Sequence, residues 1–133
     1  MAAGIFTRFQ FLGVIYILNI MYVKVTLILL LLDYLWLSAT QRIYVEAAER
    51  IQRQPVQFNK TAAALAYACL IALLVQILRW DAGMAGWIGL LVYGIYNFTT
   101  LALLRDYSWG VALMDTAWGG VLFGTTAWLA NQA

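Results

Sequence analysis

The chain has 133 residues, of which 65% are hydrophobic and only 11% are charged, and its formal net charge is +2. A typical soluble domain is about 45–50% apolar and about 25% charged. The composition therefore indicates an integral membrane protein rather than a soluble domain. The net charge is small and the sequence has no basic stripe, so nothing in it indicates nucleic-acid binding.

The first apolar run extends from Ile5 to Ser38. It is too long for one straight span and too short for two, because a span needs about 20 residues. We predict the first span at about 19–40. Residues 1–18 then form a hydrophobic N-terminal extension, which either continues the same helix or lies against a neighbour.

A polar segment, 41–54, follows the first span and keeps a helical pattern. Arg42 and Glu46 are spaced i,i+4, as in surface ion pairs of helices. The only proline, Pro55, predicts the end of this helix. We interpret the segment as a solvated or surface-lying extension of the first span.

Three further spans complete a predicted all-α integral membrane four-helix bundle, so that residues 19–133 form one membrane domain. Asn59 or Thr61 is the expected N-cap of the second span, and Ser108 that of the fourth. Arg79-Trp80 is expected to mark the end of the second span at the interface. The three spans are predicted at about 61–79, 84–104 and 109–130.

The loops predict the orientation of the bundle. Most of its basic residues lie in the loops 41–60 and 105–108. The positive-inside rule places these loops on the cytoplasmic-type side, with both termini opposite. Multi-pass insertion in a lipid bilayer is the expected location.

Small residues recur at helical spacing in two of the spans. Ala64, Ala68 and Ala72 recur every four residues in the second, and Gly120 and Gly124 form a Gly-x-x-x-Gly pattern in the fourth. Such residues let neighbouring helices approach closely. We predict that both sets form helix-packing faces, within the chain or with other membrane subunits.

The most informative motif is Asp-x-x-Trp, which occurs at Asp33 and Trp36 and again at Asp115 and Trp118. An aspartate in the middle of a membrane helix costs roughly 2.5–3.5 kcal/mol on insertion scales. At 1.5 Å rise per residue, both aspartates lie roughly 10 Å from the same membrane surface. Because both copies lie near one surface, an inverted-repeat transporter is not supported.

The third span brings polar side chains to the same depth. We expect them to join the two motifs in one polar cluster, a clasp between the first, third and fourth spans. Three roles remain open for its aspartates: a structural hydrogen-bonded pair, a binding site for a cation, lipid headgroup or small substrate, and a catalytic or proton-carrying pair. The predicted cluster contains Asp33, Trp36, Tyr96, Asn97, Thr99, Asp115 and Trp118.

These motifs, in this order and spacing, resemble a family of small four-helix membrane proteins, domain of unknown function 2177. The resemblance covers about residues 21–130 and implies the four-span fold but no established activity. The family often has Asp and Asn where this chain has Asn97 and Thr100. A role that needs a third carboxyl is therefore weakened.

The chain contains no histidine and one cysteine, Cys69, which lies within an apolar run. Histidine is the commonest general base and a frequent metal ligand. We therefore expect no metal, no cofactor and no enzymatic activity.

Two functions remain. The first is an accessory subunit of a larger membrane assembly, such as a respiratory or photosynthetic complex or a membrane-containing virion, with residues 1–18 docked on a neighbouring subunit. The alternative is a small carrier or a lipid- or small-molecule-binding protein that uses a site formed by Asp33, Asn97 and Asp115.

Overall fold

The computed structural model describes residues 2–77 and 81–132, with side chains described for 7–77, 81–102 and 104–132. Four α-helices make up nearly all of these residues, and none of them is in a β-strand. The predicted all-α four-helix fold is therefore confirmed. The helices are α1, Ala2–Gln52; α2, Lys60–Ile77; α3, Ala82–Leu103; and α4, Trp109–Ala130.

The first helix is one continuous element of 51 residues. Over residues 2–18 the predicted extension continues α1 without a break, and the polar segment prolongs the helix to Gln52. Arg53 then adopts a left-handed conformation with φ of 55°, two residues before Pro55. At 1.5 Å per residue α1 is roughly 75 Å long, far more than the roughly 40–45 Å thickness of a whole bilayer.

Each of the later helices is capped at its N-terminus by the residue directly before it. The side-chain oxygens of Asn59, Asp81 and Ser108 each accept a hydrogen bond from the backbone N–H three residues later, at 3.0, 2.8 and 3.4 Å. Such caps satisfy amide groups that have no partner inside the helix. The predicted end of the second span at Arg79-Trp80 lies outside the described residues.

Helices α3 and α4 form the most closely packed pair, and glycine makes this possible. A Cβ on Gly86 would lie 3.1 Å from the Gly120 carbonyl oxygen and 3.5 Å from the Gly124 Cα. A Cβ on Gly89 would lie 2.6 Å from the Cβ of Phe123. The Gly-x-x-x-Gly pattern of α4 therefore faces α3 of the same chain.

Helix α2 packs mainly on α1, and its alanine face does not take part. Ala64 and Ala68 are exposed, whereas Leu74 and Ile77 are buried. At 100° per residue, Ala68 and Ala72 lie roughly 120–180° around α2 from these buried side chains, and Ala64 lies roughly 80° from Leu74. The prediction that Ala64, Ala68 and Ala72 pack closely is therefore not met within this chain, because the larger aliphatic side chains supply the contact.

The apolar core fills one end of the bundle. Lys24 marks this end, where its Nζ donates a hydrogen bond of 2.6 Å to the carbonyl oxygen of Gln132. Residues of α1 before Lys24 project past this point. The buried apolar residues of the core are Val25, Leu29, Leu74, Ile77, Ala85, Leu122, Phe123, Ala127 and Ala130.

Exposed side chains such as Leu27, Ile95 and Val121 make much of the outer surface of the helices apolar, which suits contact with lipid. Among the described residues, α1 from Thr7 onwards and α2 are long and apolar enough to cross a membrane. The assignment to an integral membrane four-helix bundle therefore agrees with both composition and structure, while the limits of four separate spans stay a prediction.

Candidate functional site

Asp33 lies next to the apolar core, on the face of α1 turned to the other helices, and is 9% exposed. The indole Nε1 of Trp118 donates a hydrogen bond of 3.0 Å to its Oδ1. The hydroxyl of Tyr67 donates to its Oδ2. The carboxyl of Asp33 therefore links α1 to α4 and to α2.

Asp115 has the corresponding arrangement one turn before Trp118. The Tyr44 hydroxyl donates to its Oδ1 at 2.9 Å, and the Asn97 amide donates to its Oδ2 at 2.7 Å. The carboxyl of Asp115 thus links α4 to α1 and to α3. All four carboxylate oxygens of the two aspartates accept from different donors, so each acid is hydrogen-bonded without sharing a partner.

Asn97 is completely buried and uses both ends of its amide. Besides Asp115, its Nδ2 contacts the carbonyl oxygen of Tyr93 at 2.9 Å. Its Oδ1 accepts a hydrogen bond of 2.7 Å from the Tyr107 hydroxyl. A buried amide is costly unless it is paired, and here the pairing fixes the turn after α3 onto the cluster.

The two tryptophans of the motifs meet at the centre of the cluster. Trp36 and Trp118 are stacked, with ring centroids 4.5 Å apart and ring planes at 4°. The Trp36 Nε1 donates to the Tyr44 hydroxyl at 3.1 Å, and Tyr44 in turn donates to Asp115. Each tryptophan is therefore hydrogen-bonded towards the aspartate of the other motif. Trp118 bonds Asp33 directly, and Trp36 is linked to Asp115 through Tyr44.

Every donor to these carboxyls is neutral. Within the described chain no lysine or arginine bonds to Asp33 or Asp115, and the ion pair of Arg42 with Glu46 lies at the surface. The described residues also contain no group of three or more His, Cys, Asp or Glu that could hold a metal ion. The cluster therefore holds two carboxyl groups and no basic partner among the described residues.

Burial raises the pKa of Tyr107, in the turn between α3 and α4, to about 12. The phenol therefore keeps its proton at neutral pH and can serve as the donor to Asn97. The hydrogen bond from Tyr107 to Asn97 is therefore retained near physiological pH.

The cluster forms the base of a cavity of about 580 Å³. The cavity extends from the aspartates towards the connections 53–59 and 104–108, which lie at the same end of the bundle. Its wall combines apolar side chains of α1 and α2 with several aromatic side chains. The aromatic and acidic lining consists of Asp33, Trp36, Tyr44, Tyr67, Tyr93, Tyr96, Tyr107, Asp115 and Trp118.

The structure brings together five of the seven residues predicted for the cluster, namely Asp33, Trp36, Asn97, Asp115 and Trp118. Tyr96 lines the cavity and is 65% exposed, without a hydrogen bond to the aspartates. Thr99 is exposed and lies outside the cluster. A separation of two positions along a helix corresponds to a rotation of about 200° around its axis. Thr99 therefore cannot share a face with Asn97.

Three tyrosines of the cluster were missed from the sequence: Tyr44, Tyr67 and Tyr107. The depth argument applied to α2 would have found Tyr67, which lies seven residues after the helix start at Lys60. Tyr44 follows Asp33 by eleven residues, about three full turns, and therefore shares its face. Because of Tyr67, the clasp joins all four helices rather than three.

The membrane-protein assignment agrees with the comparison with known families. The family described as "Predicted membrane protein (DUF2177)" matches residues 18–132. No curated protein and no solved structure matches the chain. Because the match covers most of its length, the chain belongs to this family of predicted membrane proteins of unknown function.

Proposed function

We propose that this membrane protein binds a small amphipathic ligand in the cavity between its four helices. The observation that carries the proposal is the position of two aspartates, hydrogen-bonded only by neutral groups, at the base of that cavity. Ligand sites typically measure about 300–1,000 Å³ and combine apolar walls with a few convergent polar groups. The cavity, at about 580 Å³, fits this description.

A purely structural clasp would also use hydrogen-bonded aspartates. A polar cluster with only a structural role, however, stabilises the fold most when tight packing encloses its polar groups, as it encloses Asn97. Asp33 and Asp115 instead line an open cavity, together with apolar side chains of α1 and α2 such as Ala48, Ala63 and Leu70. The cavity therefore favours binding over a structural role alone, and we propose no catalytic step.

The mouth of the cavity is proposed to face the cytoplasm or its equivalent. The connections that border it carry basic residues, and the positive-inside rule places such loops on that side. The C-terminus would then face the opposite compartment. Ligand would enter from one side only, which fits a binding protein better than a transporter. The basic residues at this end are Arg42, Arg50, Arg53, Lys60 and Arg105.

The test is native mass spectrometry of the protein released from lipid nanodiscs prepared with total membrane extract. Ala63 lines the cavity and Ala64 is exposed away from it. Ala63→Trp should fill the cavity, and Ala64→Trp is the matched control with the same change on the same helix.

Wild type and A64W are expected to retain a non-protein mass that A63W loses. Equal retention by all three proteins, or none by wild type, would contradict a ligand in this cavity. Circular dichroism of the three proteins separates cavity filling from loss of the fold.

A second function, an accessory subunit of a larger membrane assembly, is favoured by the N-terminal segment of α1. Residues 7–20 are mostly apolar and all exposed, with Phe9 71% and Phe11 66% exposed. They lie past the Lys24 contact that ends the bundle. Residues 7–40 alone would measure roughly 50 Å, more than the roughly 30 Å hydrocarbon core. We propose that a partner subunit covers the excess.

This second proposal is tested by purifying the full chain and a chain that starts at Met21 in the same mild detergent. A stoichiometric partner protein should accompany only the full chain, while both chains keep the same unfolding temperature. Phe9→Ser with Phe11→Ser should weaken the association in the same way. Recovery of both chains as bare monomers would exclude the subunit role.

A further inference from the structure

The charges around the cavity indicate what kind of ligand it accepts, an inference that rests on the proposed binding function. Asp33 and Asp115 both line the cavity, and no lysine or arginine of the described chain lines it. The nearest basic side chains of the mouth are exposed to solvent. The donors to the two carboxyls are neutral O–H and N–H groups, so each carboxyl lacks the basic partner that an acidic residue inside a membrane usually has.

The donors around the carboxyls make an inorganic cation a poor partner. Trp118 and Asn97 present N–H groups to one oxygen of each acid. A nitrogen that donates a proton cannot ligate a metal, and Ca²⁺ or Mg²⁺ needs about six or more oxygen ligands. Binding such an ion would break hydrogen bonds that join the helices.

An organic ammonium ion has no such requirement. It is attracted to the faces of aromatic rings as well as to carboxylates, and quaternary ammonium groups are often held in aromatic cages. The cavity supplies seven aromatic side chains beside the two acids, five of them tyrosines. Tyr96, which lines the cavity and is largely exposed, offers its ring at the opening.

The remainder of the wall is suited to a hydrocarbon chain. Ala63, Ala66 and Leu70 of α2 and Leu104 after α3 line the cavity. Helix α2 packs mainly on α1, and its contacts with α3 are sparse. A chain could therefore extend between α2 and α3 towards the lipid.

We infer that the cavity binds an amphiphilic ammonium cation, with its charged group between Asp33, Asp115 and the aromatic rings and its apolar chain along α2. This explains why two aspartates lie in an apolar chain without basic partners. It also explains why the lining combines acids with aromatic residues rather than with amides or hydroxyl groups alone.

The test compares three probes that share an eight-carbon chain and differ in charge: octyltrimethylammonium, octanol and octanoate. Equilibrium dialysis against nanodiscs with wild-type protein measures binding, and nanodiscs with A63W give the blank for partitioning into lipid. The ammonium probe should bind wild type roughly tenfold or more tightly than either other probe, the size expected for a desolvated cation–π contact. Asp33→Asn and Asp115→Asn, tested singly, should each reduce this preference.

The outcomes separate the two proposals. If octanol or octanoate binds above the blank within about twofold of the ammonium probe, a small difference in free energy, the binding function stands and the ammonium inference is wrong. If no probe exceeds the blank, both are wrong. If an asparagine variant fails to fold, the comparison of the three probes on wild-type protein still tests the ammonium inference.

Discussion

Trp36 stacks face to face on Trp118, with ring centroids 4.5 Å apart. The two residues end the two copies of one short motif, on α1 and on α4. Their indole N–H groups point to opposite copies, Trp118 to Asp33 and Trp36 to the tyrosine that bonds Asp115. The motif copies therefore form one interleaved unit rather than two independent sites.

The hydrogen bond across the stack can be removed while an aromatic ring is kept at position 118. Trp118→Phe keeps an aromatic ring but leaves Asp33 Oδ1 without its donor, which should cost about 1–3 kcal/mol of unfolding free energy. The measurement is unfolding in mixed micelles titrated with sodium dodecyl sulfate. Trp128→Phe, at a position 56% exposed, is the control. Equal losses in both variants would contradict the assigned bond.

Tyr67 is expected to hold α2 in place at the cavity end of the bundle. Tyr67→Phe removes the hydroxyl that donates to Asp33, and most side chains of the first half of α2 are exposed. Hydrogen exchange should therefore accelerate mainly in the first half of α2, around 60–70, by a factor that corresponds to about 1–3 kcal/mol. Tyr34→Phe, 69% exposed on α1, should leave the exchange pattern unchanged. Faster exchange spread over all helices would show that the bond does more than fix α2.

The glycines between α3 and α4 give a prediction with an internal control. Gly89→Ala would place a Cβ 2.6 Å from the Cβ of Phe123, so the helices must separate. Overpacking of this kind typically costs about 1–3 kcal/mol. Gly94→Ala, on the same helix, meets its nearest atom at 3.5 Å, an ordinary contact. G94A should be neutral or stabilising by roughly 0.5–1 kcal/mol, and a ranking in the other order would refute the packing.

Alkaline unfolding should depend on Tyr107. Burial raises its pKa to about 12, whereas a tyrosine of the unfolded chain titrates near 10. Since the raised pKa belongs to the folded state, its stabilisation is complete below about pH 10 and is lost as pH rises towards 12. Tyr107→Phe should therefore lose less stability than wild type between pH 9 and pH 12. Tyr16→Phe, exposed on α1, serves as control, and identical pH profiles for Y107F and wild type would contradict this role.

Hydrophobicity and depth counting predicted much of the fold and some of the site. Run length and polar interruptions placed the helices, and the rise per residue placed Asp33, Asn97 and Asp115 in one layer. The structure shows two hydrogen-bonded groups, one at Asp33 and one at Asn97 and Asp115, which the stacked tryptophans join. The family match over residues 18–132 added that the chain belongs to a family of predicted membrane proteins.

The remaining features depend on how the helices rotate about their axes, which depth alone does not determine. Rotation decides that Trp118 bonds Asp33 rather than its own motif partner, and that Thr99 faces outwards. It also decides that α2 presents Tyr67, not its alanines, to α1. The cavity itself results from the sparse contact between α2 and α3, a property of packing that the sequence pattern does not encode.

The central claim, that the two aspartates together bind a cationic ligand, is tested most directly by solid-state NMR in bilayers. The protein would carry ¹³Cγ-labelled aspartate, and octyltrimethylammonium would carry ¹⁵N. Dipolar dephasing is predicted for Asp33 and Asp115, since an ammonium that pairs with them lies within roughly 4–6 Å. Asp81 and Asp106, which lie outside the cavity lining, should show none. Dephasing at Asp81 or Asp106 instead, or at no aspartate, would contradict the account.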